Sequence, residues 1–161
     1  MAALLRQPDR DRRVHWSVIT PALGVDVGTV RVGLAGSDET GVIATPLRTV
    51  PRQPAARLWR EVREVVEERL PACIVVGLPR RLDGSEGESA ADARAVADQL
   101  HKRTGLPVEM WDERFTTAAA ERSLIAAGQR RAQRRRSVDA VAATLLLQSW
   151  LDYRANTLLR R

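Results

Sequence analysis

The stretch Leu23–Ala35, LGVDVGTVRVGLA, constrains the fold of this chain more than any other. Its first half is a short apolar run holding one acid, Asp26. In its second half Val30, Val32 and Leu34 alternate with Arg31, Gly33 and Ala35, and Gly28-Thr29 between the halves supplies turn chemistry. That pattern predicts two strands joined by a tight turn. A carboxylate inside a buried strand is unfavourable unless a cation pairs with it, and no Lys, Arg or His stands beside Asp26 in sequence. Two readings follow. A bound divalent metal would make Asp26 a functional residue. Alternatively, Asp26 lies near the strand end and accepts backbone N–H bonds in the turn.

The hydrophobic period then changes in a definite order. Strands are predicted at about 22–27, 30–37 and 42–50, with the turn cluster Ser37-Asp38-Glu39-Thr40-Gly41 between the last two. From about 55 to 69 the period is helical, with Leu58, Val62, Val65, Val66 and Leu70 on one face and Pro71 as the stop. Cys73–Gly77, CIVVG, reads as a strand buried on both faces, its cysteine inert core. A polar loop over 78–88 leads into a helix from about 90 to 104, opened by a capping box of Ser89 and Asp92 and stopped by Gly105. Pro107–Trp111 is another strand. Thr116 or Thr117 caps a helix through Ala127, and Ser137 caps a last one with Val138, Val141, Ala142, Leu145, Leu146 and Ser149 at helical spacing.

Strands separated by helices pair in parallel through crossovers. The expectation is therefore an α/β fold: a mixed five-stranded sheet, three antiparallel strands then two parallel, with helices on both faces. One domain over 22–153 suits a chain of 161 residues. A basic mobile leader over 1–21 and a basic tail over 154–161 are expected to flank it.

Charge narrows the partners. Lys+Arg 26 against Asp+Glu 20 gives +6, and Lys102 is the only lysine. Arginine grips phosphate bidentately and stays charged at any relevant pH, so a polyanion is the expected partner. The plainer reading is a GC-rich genome and solvated side chains. No apolar run approaches the roughly 18 residues of a membrane span, so no membrane partner is expected, and the arginine-rich start is unlike a secretory signal. Cys73 is the only cysteine, which excludes a disulfide framework and favours a reducing, cytoplasmic setting.

In a sheet of this kind ligands gather beyond the strand ends, at a topological switch point. Acids fall there in three separate segments: Asp26 ends the first strand, Asp112 and Glu113 follow the last, and Asp139 opens the final helix. Clustered carboxylates suit a hard, oxygen-seeking cation, Mg²⁺ or Mn²⁺. Each acid also has a plain explanation. Asp139 favours the helix dipole, and Asp112-Glu113-Arg114 reads as a surface loop with a local ion pair. In a strand, Asp112 and Glu113 would point to opposite faces, so one of the two is expected to face the metal.

Four pieces now carry a resemblance: GVDVGTVRVGLA with SDETGVIATPL, IVVGLPRRLDGSEGESA, the DERFTT stretch Asp112–Thr117, and VDAVAATLLLQSWLD over Val138–Asp152. In this order and spacing the chain resembles the YqgF/RuvX family of RNase H-like nucleases, over about residues 23 to 152. The resemblance implies an RNase H-like fold and a metal-dependent active site carried by Asp26, the Asp112–Glu113 pair and Asp139. One departure is visible: the family usually has a lysine after Gly-Thr, where Val30 stands here beside Arg31.

The chemistry expected is phosphodiester hydrolysis by two Mg²⁺ or Mn²⁺ ions sharing carboxylates, one ion activating water and the other stabilising the leaving oxygen. Arg31, Arg80, Arg81 and Arg114 are candidate phosphate contacts, and the run Arg130, Arg131, Arg134, Arg135 and Arg136 a candidate backbone track. Trp16, Trp59, Trp111 and Trp150 suit base stacking or plain core. The family points to two substrates, the 5′ end of precursor 16S rRNA and branched DNA such as Holliday junctions. Cutting a junction symmetrically would require a homodimer. Two other classes stay open: a non-catalytic nucleic-acid-binding module, and an actin- or sugar-kinase-like ATP-binding domain. The second would need a duplicate domain for which the chain has no room.

Overall fold

The computed structural model describes residues 21–116, 122, 125, 126 and 138–159. Five strands form one sheet: β1 (Ala22–Val27), β2 (Arg31–Ser37), β3 (Ala44–Pro51), β4 (Cys73–Leu78) and β5 (Val108–Asp112), in the order β3-β2-β1-β4-β5. β1–β2 and β2–β3 pair antiparallel; β1–β4 and β4–β5 pair parallel. Helices α1 (Ala55–Arg69) and α2 (Glu88–Thr104) supply the crossovers, and α3 (Val138–Leu159) follows β5. The mixed α/β sheet expected from the order of periods is thus the observed one.

Alternation within β1 decides what each face meets. Leu23 and Val25 join Val32, Leu34, Ile74 and Val76 in a core closed by Leu58, Val62 and Val65 of α1 and Val96 and Leu100 of α2. Burying each such side chain contributes roughly 1.5–3 kcal/mol. Ala22 faces the other way, into a second core of Ala35, Val75 and Trp111 with Ala143, Leu147 and Trp150 of α3. Helices therefore cover both faces. Gly24 makes the second packing close: a Cβ there would come within 2.8 Å of the Leu147 Cβ and 3.2 Å of the Ala143 carbonyl oxygen.

Two buried polar groups fasten α3 to the sheet. Gln148 accepts from the Ala44 amide at 2.9 Å and donates to the Val42 carbonyl at 3.0 Å. The Trp111 indole donates to the Ser149 hydroxyl at 2.7 Å, which in turn donates to the Leu146 carbonyl. On the opposite face Arg52, just after β3, grips Asp92 of α2 with two bonds of 2.6 and 2.8 Å and also donates to the Gly28 carbonyl.

Several local expectations need correction. Val30 is not in β2 but at the tip of the hairpin turn, 68% exposed, where Gly28 N–H closes onto the Arg31 carbonyl at 2.9 Å. Leu70 is not on the buried face of α1. It caps the helix in a left-handed conformation, φ 46°, and is 75% exposed; the following Pro71 disfavours a helical Leu70. Ser89 and Asp92 form no capping box. α2 begins at Glu88 with Gly87 as its cap, and Asp92 is spent on Arg52. Of the residues expected inward on α3, Leu146 and Ser149 are buried but Val141, Ala142 and Leu145 are half-buried, and the buried face also runs through Ala140, Ala143, Leu147, Trp150 and Leu151. Thr116 ends a 3₁₀ turn, Glu113–Phe115, and Thr117 lies outside the described residues. The helix expected through Ala127 lies mostly outside the described residues, of which 122, 125 and 126 are helical.

Candidate functional site

Because β1, β4 and β5 run parallel, their carboxyl ends share one edge of the sheet. Val25 pairs with Val76, and Gly77 with Trp111. The next step of the β1–β4 register sets Gly77 beside Asp26. On its other side Asp26 is opposite Gly33 of β2. Asp26 is half-buried and has a glycine on either side. It shares a face with Gly24, so it is on the side of the sheet that α3 covers.

Glu113 comes to this place from the end of β5. The sheet stops at Asp112 and the chain tightens into the 3₁₀ turn, which carries the Glu113 carboxylate back over β4. A Cβ on Gly77 would lie 2.8 Å from the Glu113 Oε1 and 2.8 Å from the Leu146 Cδ1. Only a residue without a side chain leaves that volume to the carboxylate. Burial, and then the negative charges of Asp26 and Asp112, push the Glu113 carboxyl above its ordinary value. Two acids on one sheet edge thus crowd each other, an arrangement that a bound cation would relieve.

Asp112 behaves differently. Arg114 grips it through Nε, 3.1 Å from both carboxylate oxygens, and through Nη2, 2.7 Å from Oδ2. The Arg114 amide adds a bond to Oδ1 at 2.9 Å. The Arg80 Nε stands 3.6 Å from the same Oδ2. The Arg114 hydrogen bond, above all, holds the Asp112 carboxyl below the ordinary range. The local ion pair expected as the plain reading of this stretch therefore exists, at Asp112, while Glu113 is the acid that meets Asp26.

The remaining expected residues divide by position. Asp139 stands in the first turn of α3, but its side chain lies outside the described residues' atoms. Arg130, Arg131, Arg134, Arg135 and Arg136 also lie outside the described residues. Among the described residues no three His, Cys, Asp or Glu side chains gather as a metal cluster. Arg80 pairs with Glu86 at 3.5 Å as well as with Asp112, and the exposed Arg81 reaches the Ser85 hydroxyl at 3.5 Å. Arg31 is exposed at the start of β2. Trp111 and Trp150 are core, and Arg103 lies over the half-buried Trp59 at 4.6 Å. Trp16 is outside the described residues. Sequence reasoning missed Gly77: in CIVVG it reads as a strand terminus, and only the strand register reveals that it holds space for an acid.

The strand order, the helices on both faces and the acids at the parallel strand ends define an RNase H-like fold of the resolvase type. The chain aligns with the structure of T. thermophilus RuvC in complex with Holliday junction substrate at a TM-score of 0.59 and 17% identity, over 85% of this chain and 96% of that one. It aligns with the yeast mitochondrial Holliday junction resolvase Ydc2 at a TM-score of 0.51 and 15% identity, over 89% and 84%. The family model described as "RuvX: Holliday junction resolvase" matches residues 20–153, and the chain belongs to that family of nucleases. Relatives in Mycolicibacterium paratuberculosis and Mycobacterium ulcerans are each named "Putative pre-16S rRNA nuclease". The first is 46% identical over 92% of this chain and 84% of its own length, the second 47% identical over 82% and 78%. No helix among the described residues is long and apolar enough to cross a membrane.

Proposed function

We propose that this protein is a divalent-metal-dependent phosphodiesterase that processes the 5′ end of precursor 16S rRNA. The observation that carries the reading is the Glu113 carboxylate lying over Gly77 beside Asp26, at the carboxyl ends of β1 and β4. Asp26 and Glu113 would hold Mg²⁺ or Mn²⁺, two ions if Asp139 adds its carboxylate from the start of α3. The donor set fits: oxygen-only, negatively charged, and mutually repelling until a cation sits between. When bound, such ions acidify the attacking water and stabilise the leaving oxygen.

The chain's own residues do the rest. Asp26 is fixed by the central strand and sets the position of the centre. Glu113 lies over Gly77, whose missing side chain leaves room for its carboxylate beside β4. Arg31, Arg80, Arg81 and Arg114 bring positive charge that attracts phosphate to this part of the molecule. The charge cannot substitute for metal at the centre itself, because carboxylates repel phosphate when alone. The choice of RNA rests on the relatives at 46% and 47% identity and their names.

A second reading, resolution of branched DNA, is favoured by the name of the family model. End-labelled precursor 16S rRNA and four-way DNA junctions, incubated in parallel with Mg²⁺, Mn²⁺ or chelator, separate the two. Metal-dependent trimming of the RNA with the junction intact supports the proposal. Paired symmetric nicks in the junction with the RNA intact would transfer it to the second reading, and would call for a homodimer. Binding of either substrate without cleavage in any metal would make the chain a binding module.

A further inference from the structure

We infer that Asp112 is a positioning residue and not a metal ligand: it holds Arg80 and Arg114 together as a two-guanidinium grip for a backbone phosphate beside the Asp26–Glu113 centre. The inference rests on the nuclease reading for its substrate, but its geometry is independent of it. The Arg114 side chain occupies both carboxylate oxygens of Asp112 and its amide adds a second bond to Oδ1. A metal would have to strip all of these. The Asp112 side chain is only 11% exposed, whereas Arg114 and Arg80 are 40% and 33% exposed, so the carboxylate is covered by the cations it anchors.

The two arginines come from different loops. Arg80 lies on the β4–α2 connection and Arg114 on the 3₁₀ turn after β5. Without a carboxylate between them the two guanidiniums would repel each other. Among the described residues Asp112, the last residue of β5 and the partner of Leu78 in the ladder, is the acid that pairs with both. A second acid, Glu86, takes the far side of Arg80 at 3.5 Å and is itself gripped by Arg94 at 2.6 Å. Three guanidiniums thus share the Asp112 and Glu86 carboxylates, with the Asp83 carboxylate near Arg114 as a third acid on this rim. A guanidinium has five N–H donors. Arg114 directs Nε and Nη2 to Asp112 and lays Nη1 against Gly84, 3.5 Å from where a Cβ would be. The loop glycine leaves room for that nitrogen, and a phosphate is the ligand that a fixed, partly exposed guanidinium pair fits best.

The test uses the full chain with Asp112→Asn, Arg114→Gln, Arg80→Gln and Glu113→Gln, each checked for folding by circular dichroism. Mn²⁺ binding is read by calorimetry, RNA binding by titration over a series of NaCl concentrations without divalent metal, and cleavage by steady-state kinetics. Asp112→Asn should bind Mn²⁺ like the parent and keep kcat within about twofold, with KM roughly tenfold higher, the equivalent of one charge-assisted bond. Arg114→Gln and Arg80→Gln should each flatten the salt slope by about 0.7–0.9. Glu113→Gln should lose Mn²⁺ binding and kcat with the salt slope intact. Loss of Mn²⁺ binding in Asp112→Asn would make it a ligand and overturn the inference, as would unchanged salt slopes in both arginine variants. If the parent cleaves nothing, the nuclease reading fails, while the Mn²⁺ and salt data still decide the role of Asp112.

Discussion

Gly77 and Glu113 are one device, and each predicts the behaviour of the other. Gly77→Ala puts a methyl group where the Glu113 Oε1 and the Leu146 Cδ1 each stand 2.8 Å away. Overpacking of this kind costs about 1–3 kcal/mol, measurable by urea unfolding, and Mn²⁺ affinity should fall with it because the carboxylate must move. Glu113→Gln should do the reverse for stability. The folded-state pKa of Glu113 is raised by burial and by Asp26 and Asp112. A carboxyl with a raised pKa opposes folding when ionised, and that opposition fades as pH falls through the folded value toward the unfolded one. Without metal, Glu113→Gln should therefore melt higher than the parent at neutral pH. The gap should shrink as pH drops below the raised pKa, and thermal melts across pH check it. A variant no more stable than the parent at neutral pH would mean that the crowding is relieved by other means. Which of the adjacent acids meets Asp26 was not legible in the sequence. Strand alternation says only that they diverge, and the outcome is decided by the break from β5 into the 3₁₀ turn at Asp112.

At the scale of elements, the strands were legible because their apolar runs are short and bounded by turn residues, and α1 because one face of it is solvated. α3 was legible as a helix, but its buried face was not, for a physical reason. From Ala143 to Leu151 it is buried or half-buried at every position, so apolar residues occur all round and the period no longer marks a face. Its orientation is instead set by the close approach of Gly24 and by polar fasteners. Gln148 is the sharpest of these. Gln148→Leu keeps the bulk but leaves the Ala44 amide and the Val42 carbonyl without their partner. An abandoned buried polar group costs about 1–3 kcal/mol, and denaturant unfolding should find a loss in that range with an unchanged slope. Since α3 begins at the residue before Asp139, the same variant should also weaken Mn²⁺ binding if that acid takes part. Loss of stability with full Mn²⁺ affinity would separate the helix anchor from the centre.

At the scale of the whole molecule, positive charge is most concentrated in one stretch of the sequence. Asp26 and Glu113 occupy one edge, and five of the chain's arginines crowd into 130–136, ahead of Asp139. Replacing Arg134, Arg135 and Arg136 with Gln should lower RNA affinity. It should also make log K against log salt shallower by about 0.7–0.9 for each phosphate no longer neutralised, with similar cost across sequences. An unchanged slope would make the run a solvated surface. The placement of the two central acids has a consequence in time as well as space. Asp26 belongs to the middle strand, hydrogen-bonded on both sides, whereas Glu113 hangs from the end of an edge strand with a single neighbour. Backbone amides in the two should exchange with deuterium at very different rates, β1 only through global opening and the segment after β5 through local fluctuation. A metal bridging them ties the fastest-opening end of the sheet to its slowest. Adding Mn²⁺ should therefore slow exchange over 112–116 severalfold and leave β1 at the rate set by global stability. Equal slowing everywhere would show stabilisation without a bridge.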